Sequence, residues 1–276
     1  MTQHEASVDP AALLDLATSI AVEAGEFALA ARRAGGSGVE VAATKSTPTD
    51  IVTATDRDTE ALIRERILAA RPDDGIVGEE HDSRAGTSGI SWVVDPIDGT
   101  VNFLYGVPAW TVSVAVVAGA PDPGSWQGLA GVVVNPTTGE VFTASAGGGA
   151  WLGDQRLQVN TGVPLGRALV GTGFGYSADV RREQAQVLLG MLPQVRDIRR
   201  IGSAALDLGL LAAGRLDAFY ERGLNPWDHA AGGIIAREAG AKVGGRGGGR
   251  ESSELFIAAA PGLYDELAAA LEAAGA

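Results

Sequence analysis

The run Ser91-Trp92-Val93-Val94-Asp95-Pro96-Ile97-Asp98-Gly99-Thr100, continued by Val101-Asn102-Phe103, carries the most information in the chain. Its first residues form a short apolar run that reads as a buried strand. Pro96 has no N–H with which to extend a ladder, so the strand is expected to stop at Asp95. Asp95 and Asp98 then arrive together at a strand end, where Gly99 permits a tight backbone. Thr100 is the expected N-cap of a short helix. Two hard oxygen donors three residues apart, beside a helix N-terminus, suit a divalent cation and a phosphate. Taken alone, Asp-Pro and Asp-Gly are equally good turn formers.

Further acids stand at element ends on both sides. Glu79 follows the short strand Ile76-Val77, and Asp56 opens a helix running from about Thr55 to Ala70. Asp228 follows Trp227 at the expected start of another helix, Asp228 to Ala239. Each acid by itself is more simply an N-cap or a surface charge. Brought to one rim, they would repel one another without a metal, so convergence implies a cation.

The remaining pattern falls into two textures. In the first half, to about residue 160, Asp9-Pro10 starts a helix with Leu13, Leu16, Ile20, Ala24, Phe27 and Ala31 at helical spacing. Leu62, Ile63, Ile67 and Leu68 are expected to face inward from the second helix. Trp110 to Ala118, Leu129 to Asn135, Glu140 to Ser145, Ala150 to Leu152 and Leu157 to Val159 read as an antiparallel series with Gly, Pro and Asn turns. In the second half, from about 161 to 276, strands near Ala168–Thr172, Val195–Arg199, Leu216–Tyr220 and Leu255–Ala259 alternate with helices. The last helix opens at Pro261. That alternation argues for a layered α/β half, and the two halves are expected to form a single domain.

Composition narrows the chemistry. The chain has 276 residues and a formal net charge of −13. A phosphate-backbone binder would show a basic patch, and the visible clusters are only Arg181-Arg182 and Arg199-Arg200, so nucleic acid is not the expected main partner. With no cysteine, thiolate metal sites and cysteine nucleophiles are excluded. The start Met1-Thr2-Gln3-His4-Glu5 lacks the basic and apolar regions of a signal peptide, and no apolar run is long enough to span a bilayer. A cytoplasmic location is expected, with no membrane partner. His4, His81 and His229 are too scattered for a zinc site, and no Walker-type loop, complete dinucleotide fingerprint or Gly-x-Ser-x-Gly elbow is present. Trp92, Trp110 and Trp227 read as core residues.

Gly78-Glu79-Glu80, Asp95 through Phe103, and Trp227-Asp228-His229-Ala230-Ala231-Gly232 together resemble the inositol monophosphatase family. Thr53-Ala54-Thr55-Asp56 and Arg200-Ile201-Gly202-Ser203-Ala204-Ala205 also fit its pattern, and the resemblance runs from Lys45 to the final helix. Within the family it is most similar to actinobacterial members. The resemblance implies a five-layered αβαβα sandwich of the inositol monophosphatase/fructose-1,6-bisphosphatase type. It also implies a homodimer that is inhibited by lithium. The implied reaction is Mg²⁺-dependent hydrolysis of inositol 1-phosphate by metal-activated water, with two or three Mg²⁺ per site.

By the same resemblance, Glu79, Asp95, Asp98 and Asp228 are metal ligands, and Ile97 offers its backbone carbonyl. Thr100 and Glu79 orient the attacking water, and Asp56 hydrogen-bonds that threonine. Asp98, Gly99, Thr100 and Asp228 face the substrate, while Glu221 and Gly202-Ser203-Ala204 meet the inositol hydroxyls. Lys45 falls near the metals. Departures from the family pattern are Asn225-Pro226 before Trp227, the loop Gly244 to Gly249, and the lengthened connection Gly119 to Gly128. Alternative readings are a relative acting on fructose 1,6-bisphosphate, histidinol phosphate or a 3′-phosphonucleotide, for which Arg222 would supply a cation. A further alternative is a metal-free phosphosugar-binding module. Glu221, an acceptor for neutral hydroxyls, favours the inositol phosphate, and retention of every matched position disfavours the binding module.

Overall fold

The computed structural model describes residues 9–35, 43–44, 51–119, 122 and 124–276, with only backbone pairing for 43–44 and 51–52. Lys45, the polar turn from 45 to 50 and the first five residues lie outside the described residues. In chain order the first half comprises α1 (Pro10–Ala34), the antiparallel pair β1 (Ala43–Thr44) and β2 (Ile51–Val52), and α2 (Ala54–Ala70). β3 (Gly75–Gly78), β4 (Ile90–Asp98), α3 (Thr100–Tyr105), β5 (Thr111–Ala118) and β6 (Gln127–Asn135) follow. β7 (Glu140–Ser145), β8 (Gly149–Leu152) and β9 (Gln155–Arg156) complete a seven-stranded sheet in the order β3-β4-β5-β6-β7-β8-β9. Only the β3–β4 pair in it is parallel.

The second half contains β10 (Leu169–Thr172), α4 (Ala178–Met191), β11 (Asp197–Arg199), α5 (Ala204–Ala212) and β12 (Ala218–Glu221). It closes with α6 (Pro226–Glu238), β13 (Lys242–Gly244), β14 (Phe256–Ala259) and α7 (Pro261–Ala273). The five strands are ordered β11-β10-β12-β14-β13.

Three apolar cores stack these elements into five layers. α1 and α2 bury Leu13, Ile20, Ile63 and Ile67 against one face of the large sheet, on Trp92, Val114 and Val132. The opposite face packs through Phe142 and Val133 on α5 and α6, which on their far side meet Phe219 and Phe256 of the small sheet. α4 and α7 cover the outer face of that sheet through Val187, Met191, Leu267 and Leu271. Alternation makes this possible, because each strand presents one row of apolar side chains to each neighbouring layer. The αβαβα sandwich is therefore present as expected.

α1 begins as its sequence demands: Asp9 accepts from Ala11 N (3.0 Å) and Pro10 occupies the first helical position. Phe27, expected inward, is 41% exposed, since it lies to the side of the stripe drawn by Leu13, Ala17, Ile20, Ala24 and Ala28. α2 turns Ile63 and Ile67 inward as expected, while Leu62 and Leu68 are only half-buried. The rest of its buried face is polar: Asp56, Thr59 and Glu60. Leu157 and Val159 are buried, but the segment 157–159 is not a strand. The short partner of β8 is β9, just before it.

The central stretch differs from expectation at two points. β4 does not stop at Asp95 but runs through Pro96 to Asp98, which pairs with Thr111 after a register shift between Asp95 and Asp98. The irregularity takes the place of the ladder bond that Pro96 cannot donate. Thr100 is not the N-cap of α3; Gly99 is, at φ 97°, and Thr100 is the first helical residue. Only glycine takes that backbone without strain, and a side chain at Gly99 would also press on the carbonyls of Gly202 and Ala109. Likewise α6 starts at Pro226, two residues before Asp228, with Asn225 as N-cap.

Candidate active site

One pocket of about 460 Å³ opens between the two sheets, at the end where β4, β10 and β12 finish. Its lining includes Glu79, Asp95, Ile97, Asp98, Gly99, Thr100, Gly202, Ser203, Ala204, Glu221 and Asp228. Of the expected site residues in the described chain, only Asp56 is not on the surface of this pocket. It lies one step behind, fully buried, with Oδ1 accepting from Thr100 Oγ1 at 3.1 Å.

Asp56 is placed by its own helix start. It is the third residue of α2, and its Oδ2 accepts from Thr53 N (2.9 Å) and from the Thr53 hydroxyl, forming a capping box. Burial raises its pKa, and the hydrogen bonds from Thr53 and Thr100 act against that rise. Thr100 Oγ1 also stands 3.1 Å from Ile97 O. A hydroxyl has one proton, so it serves one acceptor at a time and keeps lone pairs for a donor in the pocket.

The four acids share an electrostatic problem. Burial is the largest cause that raises Asp95, followed by the charges of Glu79, Asp98 and Asp228. Asp228 is raised by burial and then by Glu79 and Asp98. Burial pushes Asp98 up to about 6, against hydrogen bonds from Ser203, Ala205 and Ala204 and the charge of Arg200. Three of the acids spend one oxygen on the protein. Asp95 Oδ1 accepts from Ile97 N (3.1 Å), Asp98 Oδ2 from Ser203 Oγ and Ala205 N (both 2.7 Å), and Asp228 Oδ2 from Asn225 N (2.6 Å). Among the described residues, no three acidic or histidine side chains form a ready-made metal cage. The donor set nevertheless fits a hard divalent cation: four carboxylates of like sign on one pocket, of which Asp95, Asp98 and Asp228 are raised by desolvation.

Asp228 is also structural, because it is the capping-box partner of Asn225 at the start of α6. Ser203 and its neighbours do something the sequence did not indicate. Ser203 is the N-cap of α5, accepting from Leu206 N (3.2 Å), and with Ala205 N it grips Asp98 across 105 and 107 residues of chain. The Gly202-Ser203-Ala204 segment lines the pocket but also fixes a carboxylate.

Glu221 ends β12 on the far wall. Burial pushes its pKa up to about 8, against the nearby charge of Arg200. A side chain at Gly173 would collide with the Glu221 carboxylate, so that glycine makes its room. Among the lining residues that were not foreseen are Arg200 at the lip, Tyr176, and Asp207 on the first turn of α5. Asp207 is buried, its Oδ1 has no hydrogen-bond partner, and burial with the charge of Glu221 raises its pKa well above the usual range. The apolar helix face around Asp207 hid it, and its only signal was an acid inside Ala204–Leu211. Trp227, read as core, is half-buried and lines the pocket.

A family model described as the inositol monophosphatase family matches residues 9–276. The inositol-1-monophosphatase SuhB of Mycobacterium tuberculosis is 46% identical over 283 aligned positions, covering 96% of this chain and 94% of that protein. The solved structure of Mycobacterium tuberculosis SuhB superposes with a TM-score of 0.81 at 43% identity, over 96% of this chain and 98% of that one. Extragenic suppressor protein SuhB of Bartonella henselae gives a TM-score of 0.85 at 34% identity, over 95% and 98%.

Proposed function

The chain belongs to the inositol monophosphatase family, and from that premise we propose that it is a Mg²⁺-dependent phosphatase that hydrolyses inositol 1-phosphate to myo-inositol and phosphate. The observation that carries the reading is the convergence of Glu79, Asp95, Asp98 and Asp228 on one pocket beside the Thr100–Asp56 pair. Glu79, Asp95, Asp98, Asp228 and the Ile97 carbonyl would hold the two or three cations. Bound there, Mg²⁺ would neutralise the phosphate and make a water acidic enough to attack it.

The protein groups supply the rest. Glu79 and Thr100 orient the attacking water. Asp56, held by Thr53, fixes the Thr100 hydroxyl so that its lone pair faces that water. Ser203 and Ala205 N stop Asp98 from swinging away. Glu221, on the wall opposite the phosphate, accepts hydroxyls of a neutral polyol, and Arg200 limits the repulsion among Asp98, Asp207 and Glu221. The proposal extends to a cytoplasmic homodimer. Among the described residues no helix is long and apolar enough to cross a membrane.

Phosphate release from a panel of a dozen phosphomonoesters, with Mg²⁺ and with EDTA, tests the reading. Inositol 1-phosphate should be among the best substrates and EDTA should remove the activity. Preference for fructose 1,6-bisphosphate, histidinol phosphate or a 3′-phosphonucleotide would reassign the substrate. Glu221→Gln should lower kcat/KM for inositol 1-phosphate by about tenfold to a hundredfold, the range for a lost polar substrate contact, and should spare an aryl phosphate without hydroxyls. Equal losses for both substrates would remove Glu221 from the binding wall.

A further inference from the structure

Glu79 lies where the sheet no longer holds the chain. The β3–β4 ladder ends at Gly78, opposite Val94. The backbone returns to β3 at Arg84, which exchanges hydrogen bonds with Ile76 (Arg84 N to Ile76 O 2.8 Å, Ile76 N to Arg84 O 2.9 Å). Between these two points α2 reaches in. Glu60, 0% exposed, accepts from Glu80 N through Oε2 at 2.7 Å, and its Oε1 meets Arg64 Nη1 at 3.3 Å and His81 Nδ1 at 3.2 Å. Arg64 Nη2 donates to Asp82 O at 2.9 Å. A side chain at Gly78 would collide with the Glu60 carboxylate, so the glycine and the acid fit each other.

We propose that Glu60, seconded by Arg64, is a positioning residue that holds the segment carrying Glu79 in register with Thr100. This inference rests on the phosphatase reading above. Asp56, Glu60 and Arg64 recur every four residues and so share one face of α2. The first orients Thr100, the second holds the residue after Glu79, and the third closes the turn behind it. One rigid helix thereby sets the two water-orienting groups relative to each other, although they sit on separate segments. A buried carboxylate is the fitting device, because it accepts from several donors at once and is costly to displace.

Three variants separate positioning from simple stability: Glu60→Ala, Glu60→Gln, and Ile67→Ala, which opens the apolar core of the same helix. Each is measured for Mg²⁺ affinity by titration calorimetry without substrate, for kcat and KM on inositol 1-phosphate, and for melting in EDTA. Glu60→Ala should lower kcat about a hundredfold, as a roughly 1 Å misplacement does. It should weaken Mg²⁺ binding about tenfold or more, as loss of a group supporting a ligand does, with KM changing less than kcat. Glu60→Gln, whose amide oxygen still accepts from Glu80 N, should recover most of both. Ile67→Ala should melt lower yet keep wild-type Mg²⁺ affinity and kcat.

Wild-type affinity and turnover in Glu60→Ala would overturn the proposal, as would equal losses in Ile67→Ala. A wild type that binds Mg²⁺ but hydrolyses no monoester would fail the phosphatase reading alone, and the calorimetry would still decide for or against Glu60. A wild type that binds no Mg²⁺ would overturn both.

Discussion

Asp95→Asn is expected to abolish phosphate release while leaving the metal-free protein at least as stable as wild type. The asparagine oxygen can still accept from Ile97 N, so the backbone at the irregularity in β4 keeps its hydrogen bond. The change removes a charge that stands among Glu79, Asp98 and Asp228 in a buried pocket. Activity should fall on the order of 10³-fold or more, at or beyond the cost of deleting a preorganised transition-state contact.

Stability should respond to pH in a defined direction. A carboxyl whose pKa is higher folded than unfolded binds protons more tightly in the native state. Its contribution is full below the unfolded pKa and is lost as pH rises through the folded one. For Asp98 that loss runs from 3.8 to about 6, and for Glu221 from 4.5 to about 8. Asp95 and Asp228 move in the same direction. Carboxylates held low by arginine, such as Asp74 beside Arg71, act oppositely, so the decisive quantity is the difference between variant and wild type.

In EDTA from pH 4 to pH 8, Asp95→Asn should lose less melting temperature than wild type. Mg²⁺ at a hundredfold excess over Kd should stabilise wild type by about 2.7 kcal/mol and the variant by less. A variant that melts well below wild type in EDTA would make Asp95 structural. Retained activity would sink its role as a ligand.

Thr100→Val is the second large effect. The side chains are nearly the same size, and Thr100 is buried with its hydroxyl on Asp56 and Ile97 O. Valine keeps the volume and removes the hydroxyl that, in the proposed reaction, presents a lone pair to the water. kcat should fall about 10²–10⁴-fold, the range for a lost proton-handling group, with KM and Mg²⁺ affinity close to wild type. The melting temperature should drop modestly. Asp56 loses one of its donors but keeps Thr53 N and the Thr53 hydroxyl, a change of about 1 kcal/mol. Thr100→Ser should restore most of the turnover. Steady-state kinetics on the three proteins decides the matter, and a Thr100→Val enzyme within threefold of wild type would exclude the hydroxyl from the reaction.

The local parts of this site were legible in the chain itself. Asp95, Asp98, Gly99 and Thr100 are so close in sequence that any strand end followed by a turn must bring them together, and the apolar run before them ensures that strand. The layered architecture was also readable, because the change from antiparallel alternation to strand–helix alternation is a periodicity. The tertiary structure decided what long-range packing decides. Asp56 reaches Thr100 across 44 residues because α2 packs on the sheet beside β4. Ser203 grips Asp98 only because α5 is pressed between the two sheets with its N-terminus at the end of β4. Glu60 was invisible for the same reason: in sequence it is one more acid on a charged helix. Its meaning comes from Gly78, Glu80 and His81, which are brought against it by the return of the chain through β3. Pro96 shows the converse. Its missing N–H predicted the end of a strand, but the ladder with β5 on the far side was strong enough to absorb the defect as an irregularity and carry β4 on to Asp98. Backbone propensity is set by a few neighbours, whereas hydrogen-bond partners in a folded core are set by which surfaces meet, and only the packed layers specify that.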